Sequence, residues 1–282
     1  MLNFINKKVL VSISILFVIV LSVLVILNII SKQNSNKKNS NTEISAADIE
    51  TILTNYNIIP NNYSNKRDIT IPKNSVWLHR VNNKKRLKYY LDKYVGFEID
   101  IQFNAEKNYF NVDHDSSKKG ENLADMLKDI PGLETKYLWF DFKNLSQDNK
   151  FISLQNLNKI VEDNKLIKEY IVVENNNPDA LDVFKQAGYY TSFYLSCYSW
   201  NNLATIKDFL YKDIKKLEES DVDFVSSDAK YFDIVRFCFP KVAHLFWVIK
   251  DEQNQQLKTD NIFETDENAY VVLNDDTGKY YK

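Results

Sequence analysis

The sequence predicts an α/β protein: a (β/α)8 barrel of the TIM type, preceded by an N-terminal transmembrane helix. Three observations carry this. From residue 75 onward, short apolar runs rich in Val, Ile, Phe, Tyr and Trp alternate with stretches of helical period. These runs number eight and fit within about two hundred residues, the lower bound for such a barrel. Ahead of them, residues 9–30 form an uncharged apolar run, VLVSISILFVIVLSVLVILNII.

That run is long enough, at about 1.5 Å per residue, to cross the ~30 Å core of a bilayer. It exceeds the core of a cleaved leader, and SKQNSNKK after it offers no small-x-small cleavage site, so it reads as an uncleaved anchor. Residues 1–8 are a short basic segment. Lys7 and Lys8 on one side and Lys32, Lys37 and Lys38 on the other nearly balance the positive-inside rule. A long domain follows the anchor, and long domains translocate largely regardless of charge, so the N-terminus is expected in the cytoplasm and the barrel outside it. Residues 31–70 are rich in Asn, Ser and Lys, with one weak helical patch, AADIETILTNY; they read as a polar tether. The barrel domain is placed at 71–282.

Within it, VWLHR is the first strand and KKRLKYYLDK the first helix. GFEIDIQF is a strand of alternating faces. ENLADMLKDI is helical, with Pro131-Gly132 as its stop. KYLWFDFKN is a strand, and SLQNLNKIVEDNKL an amphipathic helix with Ser153 as its expected cap. EYIVVENN leads to the helix PDALDVFKQAGY, with Pro178 near its start and Gly188 just past its end. YTSFYLS precedes the long helix in NLATIKDFLYKDIKKLEES. DVDFVSSD, the helix YFDIVRFCF, VAHLFWVI and the closing run AYVVLND complete the series. A doubly wound open sheet is the alternative, which the count of eight disfavours.

Composition narrows the function. Net charge is −2, giving no footprint for nucleic acid. With five glycines and neither GxGxxG nor GxxxxGK[ST], Rossmann and P-loop phosphate cradles are not expected. Cys197 and Cys238 allow one disulfide at most; two separate buried thiols is the simpler reading. The abundance of Asn, Lys and Ile is that of an AT-rich bacterial genome.

In such a barrel the active site lies at the C-terminal ends of the strands. Side chains at i and i+2 of a strand share a face. Phe97, Ile99, Ile101 and Phe103 form one face of the second strand, to meet the helices. Glu98 and Asp100 form the other, roughly 7 Å apart along the backbone. Two carboxylates on one inward face repel unless a cation lies between them, and a divalent ion with oxygen ligands would serve. ExD alone is a weak motif, and a solvent-facing strand edge would look the same. The third strand repeats the pattern. Asp141 could be a third carboxylate ligand; Lys143, one step nearer the mouth, could meet a phosphate oxygen or simply pair with Asp141. Of three histidines, His79 ends the first strand and His114 lies in the polar loop after the second. Both fall on the rim beside the acidic pair, where imidazoles suit proton transfer near neutral pH. His244 has no such neighbours and reads as a core residue.

WLHRVNN, GFEIDIQF, the HD of NVDHDSS and LWFDFKN together resemble glycerophosphodiester phosphodiesterases. More widely they resemble the phosphoinositide-phospholipase-C-like barrels, and more narrowly a diverged branch near the menorin-type proteins. The resemblance is dense over residues 76–144 and architectural from 170 to 275. It implies a phosphoric diester hydrolase. His79 and His114 would be the general acid/base pair, and Glu98, Asp100 and Asp141 would bind Ca²⁺ or Mg²⁺. Arg80 and Lys143 would hold the phosphate. The implied substrate is a phosphodiester small molecule, lipid headgroup or glycan. With the anchor, this describes a single-pass membrane protein, of a bacterial inner membrane, with an extracytoplasmic barrel. The sequence departs from the family in three places. Val81 stands where a small residue follows HR. Asp141 replaces Glu, reaching about one methylene less. Asn274 and Asp275 replace a glycine-rich ending.

Two other readings stay open. A barrel glycosidase also uses two carboxylates but requires neither the histidines nor the lysine. A catalytically inactive barrel would keep the fold as a binding or scaffolding module at the cell envelope.

Overall fold

A computed structural model describes residues 63–64, 67–115, 120–196, 203–248 and 255–276. Residues 9–30, and with them the expected anchor, lie outside this set, as do most of the tether and Cys197. Among the described residues no helix is long and apolar enough to cross a membrane.

The chain alternates strand and helix. β1 (Ser75–Leu78) leads to α1 (Lys84–Tyr90), and β2 (Gly96–Asn104) follows. Two short strands come next, β3 (Tyr109–Val112) and β4 (Glu121–Asn122), then α2 (Leu123–Leu127) and β5 (Tyr137–Phe142). α3 (Lys150–Asp163), β6 (Ile171–Asn175), α4 (Asp182–Gln186) and β7 (Tyr190–Tyr194) follow. α5 (Leu203–Glu218), β8 (Phe224–Asp228), α6 (Phe232–Cys238) and β9 (Ala243–Trp247) come next. α7 (Gln255–Thr265) and β10 (Ala269–Asn274) end the described series.

β1, β2 and β5–β10 pair in parallel around a ring. It closes because β1 pairs with both β10 and β2. This is the expected eight-stranded parallel barrel, and each of the eight strands lies where the apolar runs placed it. β3 and β4 were not anticipated. They extend the sheet antiparallel from the free length of β2, so part of the expected loop after the second strand is a strand, with His114 just beyond it. Ser153 does not cap α3. The helix begins earlier, at Lys150; Asn149 stands at the cap, and the Ser153 hydroxyl donates to Lys150 O inside the helix. α7 was also missed, because its sequence is almost uniformly polar and shows no clear apolar stripe.

The two faces of the strands are sorted as the alternation requires. Phe142 meets Phe110 of β3 and Phe184 of α4, with ring centroids 5.3 and 6.2 Å apart, so its face points outward. Asp141 and Lys143, on the opposite parity, therefore point into the barrel. Large aromatics fill the interior toward the N-terminal pole: Trp77 stacks on Tyr137 at 5.5 Å, and Phe224 meets Tyr190 at 5.7 Å. Gly96 is required there, since a Cβ would lie 2.3 Å from the Trp77 ring.

The same pole is sealed by the segment before β1. Arg67 forms a forked pair with Asp223, with both nitrogens at 2.9 Å, and lies 4.2 Å from the Tyr190 ring centroid. Lys185 also reaches Asp223, at 3.1 Å. At α6, Cys238 is buried and has no disulfide partner among the described residues, and burial pushes its thiol up to about 12. His244 is fully buried. Its Nε2 donates to Phe239 O at 2.9 Å and its Nδ1 lies 2.7 Å from Asp266, which makes it the core residue expected.

Candidate active site at the mouth of the barrel

Strand register builds the site. β2 and β5 place Asp100 opposite Asp141, and β5 and β6 place Asp141 opposite Glu174. Glu98 sits one step below Asp100 on the same face. Carboxylate oxygens of Glu98, Asp100 and Asp141 all lie within 4.8 Å of one another.

The turn after β1 is shaped around this group. Arg80 adopts φ 54°, in the left-handed region that a non-glycine residue enters only at a cost. This aims two successive amides at β2: the Arg80 N–H donates to Glu98 Oε2 at 2.7 Å, and the Val81 N–H to Glu98 O at 2.8 Å. Asn82 then grips Asp100 from both sides. Its Nδ2 donates to Asp100 Oδ2 at 2.6 Å, and its Oδ1 accepts the Asp100 N–H at 2.9 Å.

His79 continues β1 into the mouth; its N–H donates to Asn274 O at 3.0 Å. Its ring stands between two carboxylates, with Nδ1 2.8 Å from Asp275 Oδ1 and Nε2 3.7 Å from Glu98 Oε2. Burial would raise the Asp275 carboxyl, but the hydrogen bond and charge of His79, with Arg80 and Arg86 nearby, hold it below its usual range. The exposed His114 ring lies 3.0 Å from Asp115, and its charge acts on both Asp100 and Asp141.

Lys143 is the cation of the cluster. Its Nζ lies 2.8 Å from Asp100 Oδ1 and also hydrogen-bonds Asp141 Oδ2. Burial would lower this amine, yet the charges of Asp141, Asp100 and Glu98 raise it well above its usual value. The same contacts sort the carboxylates. Asp100 is depressed because Lys143 and Asn82 outweigh its burial. Glu98 is raised well above its usual range, first by burial and then by the charges of Asp100 and Asp141. Asp141 is raised by burial and by Asp100, against the pull of Lys143. Glu174 is pushed up to about 8 by burial and then by Asp141; its Oε2 accepts from the Ser192 hydroxyl at 2.8 Å.

One ammonium against three carboxylates leaves the cluster short of positive charge. Glu98 Oε1 is buried, and no donor among the described residues reaches it. An all-oxygen set with a buried oxygen that no donor reaches is the donor chemistry that Ca²⁺ and Mg²⁺ take, and a bound ion would replace the proton that burial favours on Glu98. The residues present therefore fit a divalent cation.

No protein-family model and no curated protein matches the chain. Solved structures do. A protein from Galdieria sulphuraria, provisionally named a glycerophosphodiester phosphodiesterase, is similar with a TM-score of 0.52 at 13% identity, over 73% of this chain and 95% of that one. A glycerophosphodiester phosphodiesterase from Parabacteroides distasonis is similar with a TM-score of 0.50 at 16% identity, over 72% and 93% of the two chains. This chain shares its closed eight-stranded parallel barrel fold with these two structures. Within that fold, the site residues expected from the sequence divide by element. His79, Glu98, Asp100, Asp141 and Lys143, all on or just past barrel strands, come together directly. Arg80 contributes its backbone N–H to Glu98 and its charge to Asp275. His114 stands at the edge of the group on the β3 extension. Asp275 and Asn82 were not singled out as site residues. Asp275 was noted only as a departure from a glycine-rich ending, and nothing local marks it as a partner of His79. Asn82 carried a usable signal, since an Asn just after a strand-ending His-Arg is a turn residue able to bond its neighbours.

Proposed function

We propose that this chain is a metal-dependent phosphodiester hydrolase of glycerophosphodiester phosphodiesterase type. Residues 9–30 would tether it to a membrane, with the barrel on the extracytoplasmic side. The observation that carries the reading is the meeting of an oriented imidazole with an undercompensated triple carboxylate at the barrel mouth. His79, fixed by Asp275, presents Nε2 to the same space that Glu98, Asp100 and Asp141 enclose.

The roles follow from the chemistry of the groups. Glu98, Asp100 and Asp141 would hold Ca²⁺ or Mg²⁺, which when bound would offset charge on the phosphoryl oxygens. His79 would take a proton at Nε2 from an attacking hydroxyl, a role supported by Asp275 at Nδ1, which would stabilise the imidazolium so formed. His114, on the exposed side, would protonate the leaving alcohol. The Arg80 guanidinium and the Lys143 ammonium would bind the phosphate. A small phosphodiester, a lipid headgroup or a phosphodiester-linked glycan are the substrates in keeping with these roles.

The test is hydrolysis of bis(p-nitrophenyl) phosphate and a panel of glycerophosphodiesters by the full chain, with Ca²⁺ or Mg²⁺ and with EDTA. Turnover that EDTA abolishes, and that His79→Ala and Glu98→Ala each remove without changing the circular dichroism spectrum, supports the reading. EDTA-resistant glycoside hydrolysis would favour a glycosidase. No metal-dependent turnover across the panel would favour a binding or scaffolding barrel.

A further inference from the structure

Lys143 holds two of the three carboxylates that the proposed function assigns to a metal. Its ammonium bridges Asp100 Oδ1 and Asp141 Oδ2. The second oxygen of Asp100 is already taken by Asn82 Nδ2. Of the oxygens in this group, Glu98 Oε1 meets no donor among the described residues. A divalent ion drawn to that oxygen and sharing Asp100 and Asp141 would stand within a few ångströms of the ammonium, and like charges at such range repel strongly. Lys143 has somewhere to go. Its backbone is pinned to the sheet, its N–H donating to Ile101 O at 2.9 Å, but its flexible side chain is 28% exposed toward the mouth.

We propose that Lys143 is a displaceable internal cation. It bridges Asp100 and Asp141 in the metal-free protein, and a bound divalent ion expels its ammonium into the mouth, where it becomes the phosphate-binding group. The inference rests on the metal-dependent reading above and adds an order of binding to it: metal first, phosphodiester second. The coupling is reciprocal by linkage, so a phosphate that captures the freed ammonium also tightens the metal.

The experiment follows Lys143 itself. The full chain is acylated with an N-hydroxysuccinimide ester, with and without saturating Ca²⁺, and each lysine is quantified by mass spectrometry. Acylation of Lys143 is expected to rise at least about tenfold with Ca²⁺, as the amine leaves its ion pairs. Lys73, at the opposite pole with Nζ on Glu267 O, is expected to change less than about twofold. In calorimetry, Lys143→Met is expected to bind Ca²⁺ at least about tenfold more tightly than wild type. Lys143 acylation that is unchanged or slowed by bound Ca²⁺, or a Lys143→Met variant that binds no more tightly, overturns the inference while leaving the metal-dependent hydrolase standing. Failure of Ca²⁺ and Mg²⁺ to bind either protein overturns both.

Discussion

His79 and Asp275 stand 196 positions apart in the chain and 2.8 Å apart in space, imidazole Nδ1 to carboxylate Oδ1. The pair exists because β1 and β10 are neighbours at the closure of the barrel, with Leu78 in register with Asn274. An ionised Asp275 accepts the Nδ1 proton, so Nε2 is the nitrogen free to act toward Glu98.

Asp275→Asn is expected to lower kcat by about 10²- to 10⁴-fold with a small effect on KM, because an amide can donate to Nδ1 and reverse the tautomer. The pair also shapes acid stability. Asp275 is depressed in the folded state, so its contribution is present above its unfolded value and is lost as the pH falls through the folded one. The wild-type advantage over the variant in thermal midpoint should therefore shrink at low pH. A kcat within threefold of wild type would contradict the assigned role of the pair.

Glu174 carries the opposite sign. Burial and Asp141 raise it from 4.5 to about 8, so the folded chain keeps a proton that the unfolded chain releases, and stability falls as the pH rises through that window. The metal-free protein is expected to lose thermal stability between pH about 4.5 and about 8, with Glu98 adding to the slope. Glu174→Gln should flatten the slope and melt above wild type at pH about 8. Scanning calorimetry over this range checks both; equal slopes in the two proteins would refute the assignment.

The Asn82 side chain restrains Asp100 at two points, donating to its carboxylate and accepting the Asp100 backbone N–H. Asn82→Ala is expected to weaken Ca²⁺ or Mg²⁺ binding by about 10- to 100-fold, the usual consequence of freeing a metal ligand from its support. It should also cost about 1–3 kcal/mol of stability by leaving the Asp100 N–H without its acceptor. Isothermal titration separates the two effects, and an unchanged metal affinity would remove Asn82 from the site.

Arg67 tests the far pole. Its guanidinium covers the fully buried Asp223, which keeps Lys185 and Thr191 as partners when Arg67 is lost. Arg67→Met is therefore expected to cost about 2–3 kcal/mol, below the full penalty for an unpaired buried charge. Because Asp223 precedes β8 and the carboxylate cluster lies at the opposite strand ends, kcat should stay within about twofold of wild type. A large loss of kcat in a folded variant would show coupling between the poles.

Metal should be visible as stability. At a hundredfold excess over Kd, Ca²⁺ or Mg²⁺ is expected to add about 2.7 kcal/mol, or about 5–10 °C in Tm for a barrel of this length. EDTA should reverse the gain and Glu98→Gln should reduce it. A Tm indifferent to both ions would contradict the cation site.

Local pattern sufficed where structure is local. Buried parallel strands are continuous apolar runs, so runs such as YIVV and AHLFW marked the eight strands without knowledge of their neighbours. The two-residue strand period put Glu98 with Asp100 and Asp141 with Lys143, and so exposed half of the site directly. Where the signal was weak, the reading failed. The polar α7 has no apolar stripe, β3 is a short antiparallel excursion, and Ser153 looked like a cap although the helix had already begun.

What the amino-acid order determined by itself was the alternation of strand and helix and the face on which each acidic, basic and imidazole group would stand. Only the closed barrel decided which of those groups would touch. Asp275 finds His79 because the last strand returns to the first, Asp141 finds Asp100 through the β2–β5 register, and Lys143 settles between two carboxylates. Such contacts depend on strand order and register, set by packing summed over the whole sheet, and no short window of sequence contains that sum.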